Sequence, residues 1–420
     1  MTEKASEHFS ECRETRQVHR SALSDPRFRR YYPASWFSSL GAWLLRFLLG
    51  WSAWDLTHSA TWVGLVSALM LAPALLLSPW FGILSDRVNP RQGLRLSMVL
   101  HSSIAMLGAV ATWTGTYDTA VLACLAAILG VATSLHSPMR LALVPLLVNR
   151  EALPSAVGYS AMSFNTARMI GPALGAALVA QVSVAAAWVM AALMFTASFL
   201  GLSLLRIMHE KSEQTTTSLW RQFQDGCQYL LRRVDLRLLL ALTALNGLLG
   251  RTLIELLPAL SGQLLAGDST DLATLVAMAG LGSVLGGLLV SRQSADLERL
   301  LMLVCAAIAL AALSLMSLQW FSGMTGLACW VACLSIVTTL AGTGSQTLIQ
   351  LIADTGYRGR VMSIWTMLTL GAPALGAALL GIGADSLGFA RVALLTGAVG
   401  LMLIVLCYAR RERVLSAGSP

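Results

Sequence analysis

The chain has 420 residues, of which 56% are hydrophobic and only 12% are charged. Soluble globular proteins carry about 25% charged residues, so this composition excludes an ordinary soluble domain and predicts a polytopic membrane protein. The net charge of +8 does not indicate a nucleic-acid partner, because the basic residues cluster in short segments between apolar stretches, as membrane topology requires.

The first thirty residues are polar and basic and lack the apolar core of a cleavable signal peptide, so we expect the N-terminus to stay in the cytoplasm. The seven cysteines form no C-x-x-C pair and lie mostly in apolar stretches, where they are expected to act as small apolar fillers. The chain contains no Walker loop, zinc-ligand spacing or nucleophile elbow. We therefore expect no cofactor, no metal and no enzymatic activity.

A membrane-spanning helix needs about 20 apolar residues, and twelve such stretches follow one another along the chain. They cover approximately 33–56, 61–85, 94–114, 119–143, 157–181, 184–206, 238–262, 271–291, 299–319, 324–348, 361–383 and 388–409. Most basic residues fall in the two tails and in alternate loops, so both termini are predicted to be cytoplasmic. The predicted fold is an all-α membrane protein with twelve transmembrane helices.

The predicted spans form two groups of six. We expect an N-terminal tail (1–30), a first half (31–206), a linker (207–237), a second half (238–409) and a C-terminal tail (410–420). Within the linker, residues 218–233 place apolar side chains at helical spacing among basic residues. This pattern predicts an amphipathic helix on the inner leaflet.

Short segments of the first half recur in the second half. G-P-A-L-G-A-A-L-V at 171–179 reappears as A-P-A-L-G-A-A-L-L at 372–380, and G-I-L-S-D-R at 82–87 has the counterpart G-L-L-V-S-R at 287–292. The two matches have nearly the same offset, which indicates duplication of a six-helix unit. Parallel repeats of this kind move against each other around a central site.

The loop between spans two and three reads G-I-L-S-D-R-V-N-P-R from Gly82 to Arg91. It resembles the major facilitator superfamily signature G-x-x-x-D-R-x-G-R-R, although asparagine and proline replace a glycine and a basic residue. In that family the aspartate caps a facing helix and helps to close the cytoplasmic gate. The resemblance implies gating roles for Asp86, Arg87 and Arg91, and we add Arg140 at the end of span four. An ordinary basic turn is the alternative.

Span five carries small residues with the spacing of the family's antiporter motif, namely Gly158, Ala167, Gly171, Pro172 and Gly175. The resemblance implies helix packing through Gly171, Pro172 and Gly175, and it implies export. Plain close packing remains the alternative, since small residues are common where membrane helices meet.

A finer resemblance, to the enterobactin-exporter branch, runs almost end to end. It rests on the segments 25–29, 57–64, 256–259 and 359–361 with Trp365. This branch is similar to drug:proton antiporters and has twelve spans. The R-x-x-Q-G pattern typical of span four in many drug antiporters is absent, and span four ends instead in H-S-P-M-R at 136–140. His101 and His136 are interpreted as gate or packing residues, with a proton-carrying role as the alternative.

Four charged residues, Arg46, Arg168, Arg251 and Glu255, fall near the middle of predicted spans. A charge at bilayer depth costs about 3 kcal/mol or more, so such residues usually face a water-filled cavity or pair with one another. Polar and aromatic residues share their helix faces; the predicted substrate-binding set is Trp36, Trp43, Arg46, Asn165, Arg168, Asn246 and Arg251.

The arginines are expected to bind an anionic substrate, because guanidinium binds carboxylates in a bidentate manner. Glu255 is the candidate for proton coupling, since a carboxyl group can change its charge and arginine cannot. The alternative is a purely structural pair between Arg251 and Glu255, which are four residues apart. In that case the remaining arginines would be held by backbone carbonyls.

The sequence therefore predicts a proton-driven exporter of an amphipathic organic anion, such as a siderophore, in a bacterial inner membrane. A single chain contains both halves of the site, so we expect a functional monomer. The first alternative is a broad-specificity drug exporter. The second is a non-transporting membrane scaffold or sensor, which would tolerate loss of Asp86 and Glu255.

Overall fold

The computed structural model describes residues 21–149, 152–205, 219–291, 296–354 and 357–409, and it leaves out the side chains at 78–79, 82–87, 154, 219–223 and 291. Over these ranges the chain folds into α-helices joined by short turns, with a few 3₁₀ turns, one π turn and no strand. The helices of residues 26–203 and those of residues 234–408 surround a central cavity.

Six long helices form the first part of the molecule. They are α1 (Pro26–Thr57), α2 (Ala60–Arg87), α3 (Pro90–Thr114), α4 (Thr119–Leu143), α5 (Leu153–Gln181) and α6 (Val184–Ser203). Their ends follow from local sequence. The Asp25 side chain accepts a hydrogen bond from the backbone of Arg27 at the start of α1, and Asp118 does the same for Val121 in α4, as N-capping residues do. Gly115 ends α3 with a φ of 72°, a conformation that glycine adopts without strain.

The second part contains shorter pieces at its start. It comprises α7 (Leu219–Arg232), α8 (Val234–Asn246), a π turn (Gly247–Arg251), α9 (Thr252–Glu255), α10 (Leu257–Leu265), α11 (Ser269–Ser291), α12 (Leu297–Ser317), α13 (Gly323–Ile352), α14 (Arg358–Leu387) and α15 (Phe389–Tyr408). Pro258 lies at the first turn of α10. Because proline lacks a backbone N–H and clashes with the preceding turn, it explains why α9 ends here.

Ten helices of the described chain are long and apolar enough to cross a membrane. Helices α1 and α5, with 32 and 29 residues, are long enough but are not among the ten. They cover the predicted spans 33–56 and 157–181. Their sequences include Arg46 and Arg168 together with several serine residues in both helices, four tryptophans in α1 and one asparagine in α5, which lower their hydropathy. The two long helices whose hydropathy is too low to be counted thus each have a charged residue near the middle of the predicted span.

Two helix pairs provide the most extensive contacts between residues 26–203 and residues 234–408, namely α2 with α14 and α5 with α11. Within the first set, α1 packs on α5 and α6, and α3 packs on α4 and α6. Within the second set, α13 packs on α11 and α12, and α12 packs on α15. The cavity lies between these sets, bounded on two sides by the α2–α14 and α5–α11 contacts.

One end of the cavity is closed by the start of α2 and the end of α14. The carboxylate of Asp385 accepts hydrogen bonds from the Ser59 hydroxyl at 2.5 Å and from the backbone N–H groups of Ala60 and Thr61 at 2.8 and 2.9 Å. A carboxylate in this position satisfies free N–H groups and interacts favourably with the helix dipole. Asp385 therefore caps a helix of the opposite set.

Close backbone approach reinforces the same end. A methyl group at Gly64 would overlap the carbonyl oxygen of Ala377, and one at Gly381 would overlap that of Ala60. Any side chain at Gly64 or Gly381 would force α2 and α14 apart. Small residues at such points let membrane helices pack backbone against backbone.

Helix α7 is fastened to the start of α14. The rings of Tyr229 and Tyr357 stack with centroids 4.3 Å apart and planes 4° apart, and the Tyr229 hydroxyl donates to Asp354 at 2.9 Å. Asp225 and Arg360 approach to 3.7 Å. The amphipathic helix predicted at 218–233 is thus present as Leu219–Arg232, and its contacts join it to the second set of helices.

Arg233 and Asp235 form a second anchor beside this stack. Two hydrogen bonds, of 3.0 and 2.7 Å, join the Arg233 guanidinium to the Asp235 carboxylate. They raise the pKa of Arg233 above its ordinary value, and burial raises the pKa of Tyr229. Both groups therefore keep their protons at neutral pH.

Candidate functional site

A cavity of about 550 Å³ lies between the two sets of helices. Seven of the eight residues predicted to bind substrate or proton line it: Trp43, Arg46, Asn165, Arg168, Asn246, Arg251 and Glu255. Trp36 is not among the lining residues; it is partly buried and makes an edge-to-face contact with Phe37 at 6.0 Å. Sequence reasoning thus identified the polar centre of the cavity.

The charged pair of the cavity joins α1 to α9. A guanidinium nitrogen of Arg46 donates to a carboxylate oxygen of Glu255. The Glu255 side chain is 8% exposed and that of Arg46 is 30% exposed. The pair therefore connects the two sets of helices across the cavity, in surroundings where water reaches one partner more than the other.

The recorded ion pair of Glu255 is with Arg46, so the alternative pairing of Glu255 with Arg251 is not what the structure shows. Arg251 ends the π turn, and its side chain is exposed to the cavity. Such turns occur frequently at functional sites.

Trp43 lies between two guanidinium groups. Its ring centroid is 5.6 Å from the Arg46 guanidinium carbon and 5.5 Å from that of Arg168. Its other neighbour is Phe164, in an edge-to-face contact at 5.5 Å. Each cation–π contact contributes about 0.5–2 kcal/mol. The indole therefore fixes the position of both cations on the wall formed by α1 and α5.

The predicted packing residues of α5 bring this wall together. A methyl group at Gly171 would lie 2.7 Å from the Trp43 Cβ, and one at Gly175 would lie 2.6 Å from the Phe47 ring. Pro172 lies between them and lines the cavity. Because these glycines have no side chain, α5 approaches α1 closely enough to hold Arg168 over Trp43.

Beside Arg251 and Glu255, the wall formed by the second set of helices is rich in hydroxyl groups. Asn246 donates to the carbonyl oxygen of Thr338 at 3.1 Å. The hydroxyl and amide residues lining this side are Thr243, Asn246, Ser283, Thr338, Thr339, Thr343, Gln346 and Thr369. Sequence reasoning missed most of this set. The sequence pattern that could have revealed these residues is the spacing of Thr339, Thr343 and Gln346, which lie three or four residues apart along α13 and so share one helix face.

The cavity carries excess positive charge. Arg46 is matched by Glu255, whereas in the described part of the chain no carboxylate lies within ion-pair distance of Arg168 or Arg251. Two guanidinium groups therefore remain without a counter-ion from these residues. Such groups favour a bound anion, because a low-dielectric wall strengthens the attraction.

The cavity opens at the end opposite Asp385. Its lining extends to Gly287, Gln346 and Trp365, and a methyl group at Gly287 would meet nothing within 4 Å. This end holds the start of α14 and the helix α7 attached to it. We interpret this end as the open end of the cavity and the Asp385 end as its closed end.

The predicted gating residues lie in different surroundings. The side chains of Asp86 and Arg87 fall outside the described residues. Arg91 donates to the carbonyl oxygens of Leu202 at 3.1 Å and Ser203 at 2.7 Å, which caps the end of α6. Arg140 lies 6.0 Å from the Phe164 ring. The described contacts of Arg91 and Arg140 join helices of the first set to each other.

The two histidines lie in the α3–α4 contact and do not line the cavity. Nδ1 of His101 is 2.7 Å from the carbonyl oxygen of Ser97, and the Ser97 hydroxyl is 3.2 Å from Nδ1 of His136. The His101 ring also stacks on Phe195, with centroids 4.7 Å apart. These contacts agree with the packing interpretation of both residues.

Residues 19–416 match the family described as transmembrane secretion effectors, a branch of the major facilitator superfamily. The chain belongs to this family. The predicted membership of the superfamily is thereby confirmed. The protein is a multi-pass membrane transporter and not an enzyme.

Two curated relatives cover most of the chain. The Staphyloferrin A transporter of Staphylococcus aureus (strain NCTC 8325 / PS 47) is 22% identical over 381 residues, which are 90% of this chain and 94% of the relative. Macrolide efflux protein A of Streptococcus pyogenes is 24% identical over 359 residues, which are 84% of this chain and 87% of the relative. Both names describe transport of small molecules.

Solved transporters share the fold. A bacterial homologue of the human lysosomal transporter Spinster, in an inward-facing and unoccupied conformation, superposes with a TM-score of 0.73 at 13% identity, covering 94% of this chain and 99% of that one. A POT family transporter in complex with 5-aminolevulinic acid superposes with a TM-score of 0.73 at 14% identity, and the match covers 94% of this chain and 100% of that one. At these identities the similarity concerns the fold alone.

Proposed function

We propose that this protein is a proton-driven exporter of an amphipathic organic anion, with a siderophore as the favoured substrate. The observation that carries the proposal is the cationic centre of the cavity. Arg46, Arg168 and Arg251 all line it, and Glu255 is the acidic residue among the lining side chains. Arginine cannot lose its charge at any physiological pH, so the cavity favours an anion in every state of the transport cycle.

The membrane arrangement follows from the same proposal. Helices α1 and α5 join the ten apolar helices to give twelve spans, with halves at 31–206 and 238–409 that rock against each other. Both termini and α7 lie on the cytoplasmic side of a bacterial inner membrane, since the basic residues cluster there. The open end of the cavity is then cytoplasmic, where an exporter loads its substrate.

Glu255 supplies the coupling to protons. Its carboxylate forms the ion pair with Arg46 that joins α1 to α9, and protonation would remove the charge that holds this pair together. A proton entering the cavity thus breaks a contact between the two halves at the stage when the substrate is released, as exchange of a proton for the substrate requires. Protonation and substrate binding are thereby linked to one conformational change. One chain supplies every one of these residues, which supports a functional monomer.

A broad-specificity drug exporter is the second candidate, favoured by the similarity to Macrolide efflux protein A. The apolar parts of the cavity wall, such as Phe47, Met70 and Val276, would suit a bulky hydrophobic compound. This candidate predicts several unrelated neutral or cationic substrates and little effect of neutralising Arg46. The charge of the cavity favours the anion exporter.

The first experiment compares spent medium and cell extracts of deletion and wild-type strains by mass spectrometry, with and without iron. We expect an iron-regulated acidic compound to disappear from the medium and accumulate in the cells of the deletion strain. Complementation with Glu255→Gln or Arg46→Ala should fail to restore export. Arg391→Ala, at an exposed position outside the cavity, should restore it. Unchanged iron-regulated metabolites would contradict siderophore export.

A second experiment tests the coupling ion. Everted membrane vesicles carrying the transporter should lose part of their pH gradient when the identified anion is added, because exchange lets protons leave. Vesicles with Glu255→Gln should keep their gradient. Anion-driven loss of the gradient in the Glu255→Gln vesicles would rule out the coupling role of this residue.

A further inference from the structure

Two of the three cavity arginines have no carboxylate of the described residues within ion-pair distance, and this division assigns different tasks to the three. Arg46 is occupied by Glu255, whereas Arg168 and Arg251 face the cavity without a carboxylate within ion-pair distance in the described residues. The net charge of the described lining is therefore that of two guanidinium groups. A single negative charge would leave one of them unmatched.

The two unmatched arginines come from opposite sides of the cavity. Arg168 lies on α5, and Arg251 ends the π turn after α8. Both guanidinium groups line the same cavity of about 550 Å³. Like charges that face one cavity repel each other, and this repulsion opposes closure of an empty cavity around them.

Trp43 and the hydroxyl wall limit what the anion can look like. Trp43 fixes Arg168 by a cation–π contact at 5.5 Å, so this guanidinium is held in place before the ligand arrives. Thr339, Thr343 and Gln346 on the opposite wall provide groups that donate or accept hydrogen bonds. A ligand that fills a cavity of about 550 Å³ would meet guanidinium groups from both sets of helices and hydroxyl groups from the second set.

We infer that Arg168 and Arg251 form a dianion clamp, and that the substrate carries at least two acidic groups together with hydroxyl or amide groups. Polycarboxylates and phosphorylated polyols share this chemistry. One acidic group binds each guanidinium, which converts repulsion between the two halves into attraction through the ligand. Arg46 and Glu255 remain available for proton coupling. This inference rests on the proposed export of an organic anion and specifies its charge.

The test measures binding to the purified transporter in lipid nanodiscs by quenching of tryptophan fluorescence. Butyrate, glutarate and tricarballylate provide one, two and three carboxylates on similar carbon chains, and glycerol 3-phosphate provides a phosphate dianion. We expect the dissociation constants of glutarate and tricarballylate to be at least about tenfold lower than that of butyrate, since a second charge-assisted contact is added. Tighter binding of glycerol 3-phosphate than of glutarate and tricarballylate would contradict the clamp, because a single phosphate group cannot supply a separate acidic group to each guanidinium.

Variants connect this preference to the clamp. Arg168→Gln and Arg251→Gln should each reduce the preference for glutarate over butyrate to less than about threefold, while Arg391→Gln should preserve it. If either cavity variant fails to fold, the wild-type protein still provides a test. Raising the salt concentration should weaken glutarate binding more steeply than butyrate binding, because two charges are screened rather than one.

The outcomes separate this inference from the proposed function. Equal binding of butyrate and glutarate, with equal salt dependence, would overturn the dianion clamp and leave anion export intact. Binding of neutral or cationic compounds, with no response to any of the four anions, would overturn both. A preference for dianions that survives in Arg168→Gln and Arg251→Gln would place the second anion-binding group elsewhere and would also overturn the clamp.

Discussion

The pair of Arg46 and Glu255 allows a quantitative prediction, because it joins two sets of helices and is shielded on one side. Removing one partner of a fully buried ion pair costs about 3–5 kcal/mol. The Glu255 side chain is 8% exposed, but Arg46 keeps 30% exposure, so solvent screening reduces the loss. We expect Glu255→Gln and Arg46→Gln each to lower the free energy of unfolding by about 2–3 kcal/mol.

The double variant distinguishes the pair from its surroundings. If each single change mainly exposes the unmatched partner, Arg46→Gln with Glu255→Gln should lose less than the sum of the two, with a coupling energy of about 1–2 kcal/mol. Chemical denaturation of the purified protein in detergent measures all four members of the cycle. Additive losses would refute the argument that Glu255 is held by Arg46.

The same pair should influence the balance between open and closed states. A change of about 2–3 kcal/mol corresponds to a shift of about 30- to 160-fold in a two-state ratio. Spin labels at Leu146 and Leu351, two exposed positions near the open end, would report the distance across the cavity mouth. We expect Glu255→Gln to reduce the population with the long distance. An unchanged distance distribution would show that the pair does not stabilise the open state.

Three further predictions concern contacts away from the cavity. Asp385→Asn should weaken the cap on α2 by about 1–2 kcal/mol, since the hydrogen bonds to Asp385 would no longer be made to a charged group. A thiol-reactive probe should then reach cysteines introduced near the closed end. Gly64→Leu should increase probe access more than Asp385→Asn does, because the introduced side chain would overlap the backbone at Ala377. Unchanged probe access would contradict the closure described for α2 and α14. Tyr229→Phe removes the hydrogen bond to Asp354 but keeps the aromatic ring. It should lower the free energy of unfolding by about 0.5–1.5 kcal/mol. An unchanged free energy of unfolding would mean that stacking alone holds α7.

Charges inside apolar stretches were the part of the site that the sequence predicted well. Arg46, Arg168 and Arg251 were recognised because a charge at membrane depth is rare and must face water or a partner. The partner of Glu255 could not be read in the same way. Its pairing with Arg46 depends on the placement of α1 beside α9, which is a property of the folded chain.

Helical spacing predicted on which face of a helix a residue lies, but not whether the residue reaches the cavity at its position along the helix axis. Trp36 lies seven residues before Trp43 and therefore about 10 Å further along α1, where it packs against neighbouring helices rather than the cavity. The threonines of α13 were missed for a different reason. Threonine is common in membrane helices because its hydroxyl can bond to the preceding turn, as Thr338 does to Leu334. Composition alone does not distinguish that role from contact with a ligand.

The attachment of α7 has a practical value for spectroscopy. Cys227 lies in α7 as a partly exposed free thiol, two residues before the tyrosine that stacks on Tyr357. Because α7 is fixed to α14, a fluorophore on this native cysteine would travel with α14 rather than tumble independently. With an acceptor dye on the first set of helices, energy transfer from this fluorophore would report the distance between the two sets of helices and give the rate at which the cavity opens.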